Sequence, residues 1–364
     1  MDVTLAKGGQ GIPGQYIVTL RDDATMESIT AITAERGIAP LHTYDTALRG
    51  FASQLSDEQL AGLRRDPRVV AIEQDQITTM STDQANAPQH LGRIDRRAAI
   101  VTDPNRYSYE NAGEGVRAYV LDTGIDTGHG DFEGRAANMF NGIGDGLWDC
   151  HGHGTHVAGI VGSKTYGVAK KVYLRGVKVL GCNGKGSNSA LIAGLNWVRT
   201  NHVKPAVANI SLGGGYSHAV NSAVTALSYS GVFVAVAAGN DATDACDTSP
   251  ASSLGATTVG AQHFVQAYMQ DWVAGFSNYG PCVDLFAPGF GVTSTWPNGT
   301  IKSLSGTSMA SPVVAGVAAI RKSRSGDMDS NLLRDSILSN ATQNVMNFLP
   351  TNTPNRLIYK SPTL

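Results

Sequence analysis

Residues 232–240 read VFVAVAAGN and form the most apolar segment of the chain. A short, uninterrupted apolar run that ends at a glycine is typical of a strand buried on both faces of a sheet. Three other segments have a similar character: 116–121, 171–180 and 206–210. Helical patterns lie between them, at 154–162, 188–201 and 217–229. Strands that alternate with helices predict an α/β domain in which a parallel sheet lies between two layers of helices.

The first 80 residues follow a different pattern. Three segments are rich in β-forming residues, at 16–20, 50–55 and 68–73. Residues 25–36 suit a helix, and Ser56 followed by Gln59 predicts a second helix that begins with a capping box. This order predicts a small α+β, ferredoxin-like domain over residues 1–80. Residues 81–90 are polar and aperiodic, which predicts a linker at the start of a second domain, residues 81–364.

The composition excludes several functional classes. Charged residues make up only 16% of the chain and the formal net charge is −2, so no basic surface for nucleic acid or membrane lipid is expected. The apolar segment 231–239 is too short to span a bilayer. The first residues lack the basic and apolar regions of a signal peptide. We therefore expect either a cytosolic protein or a secreted one whose signal is absent from this chain.

The chain has four cysteines, Cys150, Cys182, Cys246 and Cys282. An even number permits two disulfides in an oxidising compartment, whereas four reduced thiols would fit a cytosolic protein. None of the four belongs to a Cys-x-x-Cys pair, which argues against structural zinc. Two disulfides would favour secretion.

Asp122 and His153 stand at predicted junctions between strands and helices. A carboxylate at a strand end often caps a turn, so Asp122 alone is weak evidence for a site. Three histidines, at 151, 153 and 156, raise the alternative of zinc. The helical zinc motif, however, needs two histidines four apart with a glutamate between them, and no glutamate is present. We interpret His153, near the helix start, as a candidate general base.

Ser308 and Asn240 are the other two candidates. Ser308 precedes an apolar run, 313–320, that predicts a buried helix. A serine at a helix start lies beside free backbone N–H groups, which suit an oxyanion, although such a serine is often only an N-cap. Asn240 ends the segment 232–240, where it is either a turn residue or an amide donor to the same oxyanion.

The order Asp, His, Ser is that of subtilisin and differs from the orders in chymotrypsin and the α/β-hydrolases. Residues 122–124 (DTG), 153–159 (HGTHVAG) and 306–312 (GTSMASP) resemble the three signatures of the subtilisin-like serine proteases, the subtilases. Residues 238–240 (AGN) resemble the segment that carries the family's oxyanion asparagine. The resemblance covers about residues 88–360. It is strongest to the proteinase K and aqualysin branch, through residues 211–215, 276–280 and 354–357.

This resemblance implies a serine endopeptidase with Asp122, His153 and Ser308 as its triad and with Asn240 and the Ser308 N–H as oxyanion donors. Two segments would flank the substrate as edge strands: Ser211, Leu212 and Gly213, and Gly184, Lys185 and Gly186. Backbone pairing predicts broad specificity. The small residues Ala238 and Gly239 would leave the S1 pocket open to apolar or aromatic P1 side chains.

The resemblance also implies partners and stabilising groups. Residues 13–77 resemble an inhibitor-type prosegment, which would assist folding, bind in the active-site cleft and be removed by self-cleavage within 77–84. The cysteines would pair as Cys150–Cys182 and Cys246–Cys282 in a secreted monomer. A structural calcium ion would bind the carboxylate of Asp284 and the carbonyls of Leu254 and Ala256. No cofactor would take part in catalysis.

Two features depart from the family pattern. Val313 stands where the family usually has histidine after its Ser-Pro pair, so packing behind the nucleophile is expected to differ. Residues 262–275 predict a long loop whose aromatic residues, Phe264, Tyr268 and Trp272, contact substrate or cover the core.

Two alternative functions follow from the same residues. The first is a permanently self-inhibited protein of the same fold that never becomes active. The second is an α/β-hydrolase esterase, which requires a Gly-x-Ser-x-Gly turn and the order Ser, Asp, His. The chain has alanine at position 310 of that turn and the wrong order, so the esterase interpretation is weaker.

Overall fold

The computed structural model of the protein describes residues 2–6, 11–76, 82–99 and 105–361. The chain forms two compact units, residues 1–80 and 81–364. Most of the expected self-cleavage region, residues 77–81, lies outside the described residues. Within the described ranges, every helix is too short or too polar to cross a membrane.

In its described residues the small unit is a five-stranded sheet, in the order β1-β5-β2-β4-β3, with two helices. Its elements are β1 Val3–Thr4, β2 Gly11–Leu20, α1 Met26–Glu35, β3 His42–Tyr44, β4 Gly50–Gln54, α2 Asp57–Leu63 and β5 Val69–Gln76. The predicted capping box starts α2: Ser56 Oγ accepts from the Gln59 N–H at 3.2 Å, and Gln59 Oε1 accepts from the Ser56 N–H at 2.9 Å. Strands β1 and β3 were not predicted, because two or three residues are too few to show alternation.

The large unit is built on a sheet with the main order β20-β22-β17-β15-β13-β11-β8-β10-β9. The pairs from β9 to β22 are parallel, and β20 is antiparallel to β22. The strands of the unit are β6 Thr82–Gln84, β7 Tyr107–Tyr109, β8 Arg117–Asp122, β9 Ala136–Asn141, β10 Tyr173–Lys178, β11 Ala206–Ile210, β12 Gly214–Gly215, β13 Phe233–Ala237, β14 Thr248–Ser249, β15 Thr257–Val265, β16 Gln270–Val273, β17 Leu285–Pro288, β18 Val292–Trp296, β19 Thr300–Leu304, β20 Thr342–Gln343, β21 Met346–Asn347 and β22 Arg356–Leu357.

Helices cover both faces of this sheet. They are α3 Gln89–Ile94, α4 His153–Gly162, α5 Asn188–Asn201, α6 His218–Tyr229, α7 Thr307–Ser325 and α8 Ser330–Asn340. Strand β8 shows the layering, because Ala118 and Val120 join the hydrophobic core formed with α4 and α7. The alternate residues, Tyr119 and Leu121, join a separate core with α5 and α6. Two cores on opposite faces confirm the predicted three-layer α/β class.

Two sequence predictions were wrong in this unit. Residues 81–90 were expected to be a linker, but residues 82–84 form β6, which pairs with β7, and α3 begins at Gln89. Residues 262–275 were expected to be a loop, but β15 and β16 form an antiparallel hairpin there. On this hairpin Tyr268 stacks on Trp272, which packs against Phe348. The strands missed here, β6 and β16, have only three and four residues, and they are fixed by pairing partners that the local sequence does not reveal.

Candidate active site

The predicted site residues collect at the carboxyl end of the parallel sheet. Asp122 is the last residue of β8, Ser211 directly follows β11, and Asn240 lies three residues after β13. His153 and Ser308 reach this edge from the first turns of α4 and α7. Ligand and catalytic groups of open α/β sheets occupy this edge, because parallel strands bring their carboxyl ends together there.

Asp122 and His153 form a hydrogen-bonded pair. His153 Nδ1 lies 2.8 Å from Oδ1 and 2.9 Å from Oδ2 of Asp122, whose side chain is fully buried. Burial lowers the pKa of the His153 imidazole, but the negative charge and hydrogen bond of Asp122 outweigh that effect and hold the pKa above its ordinary value. The carboxylate therefore fixes the ring with its proton on Nδ1 and leaves Nε2 as a base.

A second buried carboxylate, Asp149, anchors the start of α4. Its Oδ1 accepts from the N–H groups of His151 and Gly152, and from Thr123 Oγ1 at 2.8 Å. Its Oδ2 accepts from the backbone and hydroxyl of Thr155, at 2.9 and 2.6 Å. Asp149 thus satisfies backbone donors at the helix N-terminus and ties them to Thr123, the neighbour of Asp122.

Ser308 is held by Ser211 through two hydrogen bonds in opposite directions. Ser308 Oγ donates to the Ser211 carbonyl at 3.0 Å, and Ser211 Oγ donates to the Ser308 carbonyl at 2.8 Å. The second bond compensates for Pro312, which lies inside α7 and has no N–H to donate to the carbonyl four residues earlier. Among the described residues, no hydrogen bond joins Ser308 Oγ to His153 Nε2.

Buried polar side chains support Ser211 from behind. Asn209, in β11, donates from Nδ2 to Ser211 Oγ at 2.8 Å. Its Oδ1 accepts from Ser311 Oγ at 2.7 Å. The chain of bonds Ser311–Asn209–Ser211 connects α7 with β11, and all three residues are buried. A satisfied buried network of this kind holds the Ser308 backbone in one position.

The amide of Asn240 is oriented by Thr307. The Thr307 N–H lies 2.8 Å and the Thr307 hydroxyl 2.9 Å from Asn240 Oδ1. A backbone N–H can only donate, so the atom it faces is the amide oxygen, and Nδ2 is left to donate elsewhere. Within the described ranges Nδ2 has no hydrogen-bond partner, and Asn240 lines the same cavity as Ser308.

The turn before Asn240 requires glycine. Gly239 has φ +107°, and a Cβ there would lie 2.3 Å from Asn278 Nδ2. Asn278 is fully buried and crosslinks the turn: its Nδ2 donates to the Ala238 carbonyl at 3.0 Å, and its Oδ1 accepts from the N–H groups of Asp241 and Thr243. The position of Asn240 thus depends on a side chain from a distant segment.

Two adjoining cavities pass along these residues. The first, about 600 Å³, is lined by His153 and by all six residues expected to flank a substrate, 184–186 and 211–213. The second, about 430 Å³, is lined by Ala238, Gly239, Asn240 and Ser308. Leu212, Gly213, Gly214 and Ser249 line both cavities, and the two adjoining cavities together are termed the groove. Neither flanking segment is a strand in this structure.

Two disulfides lie near the groove. Cys150–Cys182 links the segment that precedes His153 to the segment that precedes Gly184, and Cys246–Cys282 links the segments after Asn240 and after Asn278. This is the pairing that the family resemblance implies. Asp145 lies close to the first disulfide, but sulfur atoms joined to each other are not thiolate ligands for a metal.

The residues expected to bind calcium lie together but are already engaged. Asp284 Oδ1 accepts from Arg334 Nη2 at 2.5 Å, and the Leu254 carbonyl accepts from Arg334 Nη1 at 3.2 Å. Asp284 Oδ2 accepts from the Thr258 N–H at 2.8 Å. Of the three expected ligands, only the Ala256 carbonyl has no hydrogen bond to a side chain in the described part of the chain. This arrangement does not fit a calcium ion.

Sequence reasoning missed four residues of the site: Asp149, Thr307, Asn278 and Asn209. Asp149 had a usable signal, since an acidic residue just before a predicted helix start suits the free N–H groups. Thr307 and Asn278 belong to segments that resemble the family, 306–312 and 276–280, but their roles depend on contacts with Asn240 and its turn. Asn209 lies in a strand that the sequence describes only as apolar.

Comparison with known proteins places both units in families. Residues 113–357 match the model of the subtilase family, and residues 15–81 match that of peptidase inhibitor I9. An extracellular serine proteinase of Thermus sp. (strain Rt41A) is 44% identical, over 96% of this chain and 90% of that protein. A cuticle-degrading protease of Metarhizium anisopliae is 45% identical over the same shares.

A solved structure agrees with these matches. The crystal structure of a cold-adapted subtilisin-like serine proteinase is 43% identical and superposes with a TM-score of 0.72, covering 76% of this chain and 98% of that one. The sequence matches, the shared fold and the aspartate–histidine pair at the carboxyl end of the sheet lead to one conclusion. The chain belongs to the subtilase family of serine endopeptidases and carries an I9-type inhibitor segment.

Proposed function

We propose that Asp122, His153 and Ser308 are the catalytic triad of this endopeptidase. The observation that carries the proposal is the His153–Asp122 pair, which holds an imidazole at the edge of the groove that Ser308 also lines, and whose Nε2 has no hydrogen-bond partner among the described residues. Rotation about the Ser308 Cα–Cβ bond would transfer its hydroxyl from the Ser211 carbonyl to Nε2. His153 would then accept the proton as Ser308 attacks the peptide carbonyl, and would return it to the leaving amine.

The oxyanion would be bound by two donors. Asn240 Nδ2 is free to donate because Thr307 holds the amide oxygen. The Ser308 N–H is in the first turn of α7, where backbone donors have no partner within the helix. Donors fixed before the reaction stabilise the developing charge without reorganisation, and this supports assigning both to the oxyanion hole.

The substrate would bind in the groove as an extended peptide. Residues 184–186 and 211–213 line the first cavity from two segments, which supports pairing of a substrate backbone between them. The second cavity has small residues at Ala238, Gly239 and Ala251, and a volume of about 430 Å³ suits a large apolar or aromatic P1 side chain. Broad specificity follows, because backbone pairing reads little sequence.

We further propose that residues 1–80 are the propeptide domain and residues 81–364 the catalytic domain. The match to peptidase inhibitor I9 supports this division. The propeptide would bind in the groove and be removed by cleavage within 77–84. The active enzyme would be a secreted monomer, as the extracellular relative from Thermus and the two disulfides suggest. Triad chemistry uses only groups of the chain, so no catalytic cofactor is needed.

One observation favours the alternative of a permanently self-inhibited protein. Ser308 Oγ bonds to Ser211 and not to His153. Experiment distinguishes an active protease from a permanently inhibited protein. In an active protease the Ser308 hydroxyl can rotate to another staggered rotamer, whereas an inhibited protein has no activity.

The test compares the full chain with two variants, Ser308→Ala and Ser325→Ala, the latter at the exposed end of the same helix. We expect the parent and Ser325→Ala to lose about 80 residues on a gel and to cleave a peptide with phenylalanine at P1. Ser308→Ala should stay full length and inactive. If all three stay intact and inactive, the self-inhibited alternative is supported. If Ser308→Ala cleaves as fast as the parent, Ser308 is not the nucleophile.

A further inference from the structure

The contacts of Arg334 explain why the expected calcium site does not fit a calcium ion. Arg334 lies on α8, and its two terminal nitrogens bridge the Asp284 carboxylate and the Leu254 carbonyl. Both oxygens belong to the ligand set that the family resemblance implies. The remaining guanidinium nitrogen, Nε, has no hydrogen-bond partner within the described ranges. The hydrogen bonds of this side chain are therefore devoted to these two oxygens.

We propose that Arg334 is a built-in cation that replaces a calcium ion between α8 and residues 250–258. Calcium needs six to eight oxygen ligands at about 2.3–2.6 Å, so it would require the same lone pairs that the guanidinium uses. Two positive charges cannot share one carboxylate oxygen at such distances without strong repulsion. The planar fork of arginine suits two oxygens at once, whereas a single ion would need further ligands.

The oxygens are held in place by their own segments. The turn that presents the Leu254 carbonyl is closed by a hydrogen bond from the Ala256 N–H to the Ser253 carbonyl at 3.1 Å. Gly255 packs so closely on α6 that a Cβ would lie 2.5 Å from Thr225 Cα. Asp284 is fixed by Thr258 through its carboxylate and its backbone N–H. Removal of the arginine would therefore leave an intact pair of oxygens around a cation-sized gap.

Because Asp284 and Arg334 are partly buried, replacement of the arginine by another cation should change stability measurably. The side chain of Asp284 is 13% exposed and that of Arg334 is 30% exposed. A mostly buried carboxylate without a cation is unfavourable, so loss of Arg334 should destabilise the unit until another cation replaces it. Calcium is a suitable replacement because the free groups are hard oxygen ligands. The inference concerns stability alone and does not depend on the proposed triad.

The test uses the full chain with Ser308→Ala to prevent self-digestion, and measures the unfolding temperature in EDTA and in millimolar calcium chloride. Arg334→Gln removes the cation. Arg324→Gln, on α7, is the matched control for loss of one arginine. Arg334→Gln/Asp284→Asn removes both partners, so any calcium effect that survives in it belongs to another site.

We expect Arg334→Gln to unfold about 2–8 °C lower than its parent in EDTA and to recover most of that loss in calcium. The parent, Arg324→Gln and the double variant should share one smaller calcium response, or none. The proposal is overturned if the parent shows as strong a calcium response as Arg334→Gln and if Asp284→Asn alone abolishes that response. Calcium would then bind at Asp284 while Arg334 is still present. It is also overturned if Arg334→Gln neither loses stability nor gains a calcium response.

Discussion

The proposed acid–base half of the site, Asp122 and His153, and the proposed nucleophile half, Ser308 and Ser211, differ in how closely they approach a reactive arrangement. The first half is complete, since the imidazole is already paired with its carboxylate. In the second half the Ser308 hydroxyl is bonded to a backbone carbonyl. The difference is that the Asp122–His153 pair is already hydrogen-bonded, whereas the Ser308 hydroxyl would have to rotate away from the Ser211 carbonyl to complete the proposed triad.

The largest effect is expected from the acid–base half. Asp122→Asn should lower kcat about 10⁴-fold, because an amide no longer holds the proton on Nδ1 and Nε2 ceases to be a base. Steady-state hydrolysis of a peptide substrate measures it. Asp126→Asn is the matched control, a partly exposed carboxylate on the same connection, and should stay within a few-fold of the parent. An Asp122→Asn enzyme with a tenth of parental activity would contradict the role of the pair.

On the nucleophile side the oxyanion donor should matter next. Asn240→Ala should lower kcat about 10²–10³-fold with little change in KM, since the amide acts on the transition state. Thr307→Val keeps the backbone N–H to Asn240 but loses the hydroxyl, and should have a smaller effect of about tenfold. Thr307→Ser keeps both donors and should behave like the parent. A rise in KM with kcat unchanged in Asn240→Ala would instead indicate a role in substrate binding.

The Ser211 hydroxyl donates to the Ser308 carbonyl in place of the N–H that Pro312 lacks, and a double variant can test this replacement. Ser211→Ala leaves the Ser308 carbonyl without its donor and should destabilise the protein by about 1–3 kcal/mol, because that carbonyl and Asn209 lose a partner. Pro312→Ala restores a backbone N–H four residues after Ser308. Ser211→Ala should therefore be less harmful in the Pro312→Ala background, by about 1 kcal/mol in a double-mutant cycle of chemical unfolding. Strict additivity would show that the two residues do not serve the same carbonyl.

Two histidines on α4 should contribute to stability with opposite dependence on pH. The pKa of His153 is raised. As the pH rises through this pKa the imidazole loses its proton, and kcat/KM should increase. The stability that the charged imidazole adds is present at low pH and is lost above the pKa of the folded state. Burial, only partly offset by a hydrogen bond to the Lys302 carbonyl, lowers the pKa of His156 from 6.5 to about 4. Stability linked to His156 is therefore present above pH 6.5 and lost as pH falls towards 4.

Thermal unfolding of the Ser308→Ala chain between pH 4 and 7 measures this loss, which should reach up to about 3 kcal/mol for His156. His90, whose pKa is also lowered to about 4 by burial, adds a similar contribution. His156→Gln can donate to the same carbonyl without titrating, and should reduce the acid-dependent loss by about half. An unchanged pH dependence in His156→Gln would show that this histidine does not drive acid unfolding.

The sequence predicted the parts of this account that local chemistry controls. The apolar segment before Asn240, the strand before Asp122 and the helix after Ser308 have patterns that physical rules interpret directly. The structure adds what depends on distant contacts: Asp149 beneath α4, Asn278 beside Gly239, and the strand β6 in a segment expected to be a linker. Arg334 is the clearest case, because nothing in the sequence of α8 indicates that its guanidinium reaches Asp284, fifty residues earlier.

The central claim is that Ser308 becomes nucleophilic through His153, and covalent labelling tests it most directly. The processed parent, His153→Gln and His151→Gln would be treated with phenylmethylsulfonyl fluoride, and the modified residue located by peptide mass mapping. We predict one adduct, on Ser308, in the parent and in His151→Gln, with a labelling rate that rises with pH as His153 loses its proton. His153→Gln should not be labelled. An adduct on another residue, or equal labelling of Ser308 without His153, would contradict the account.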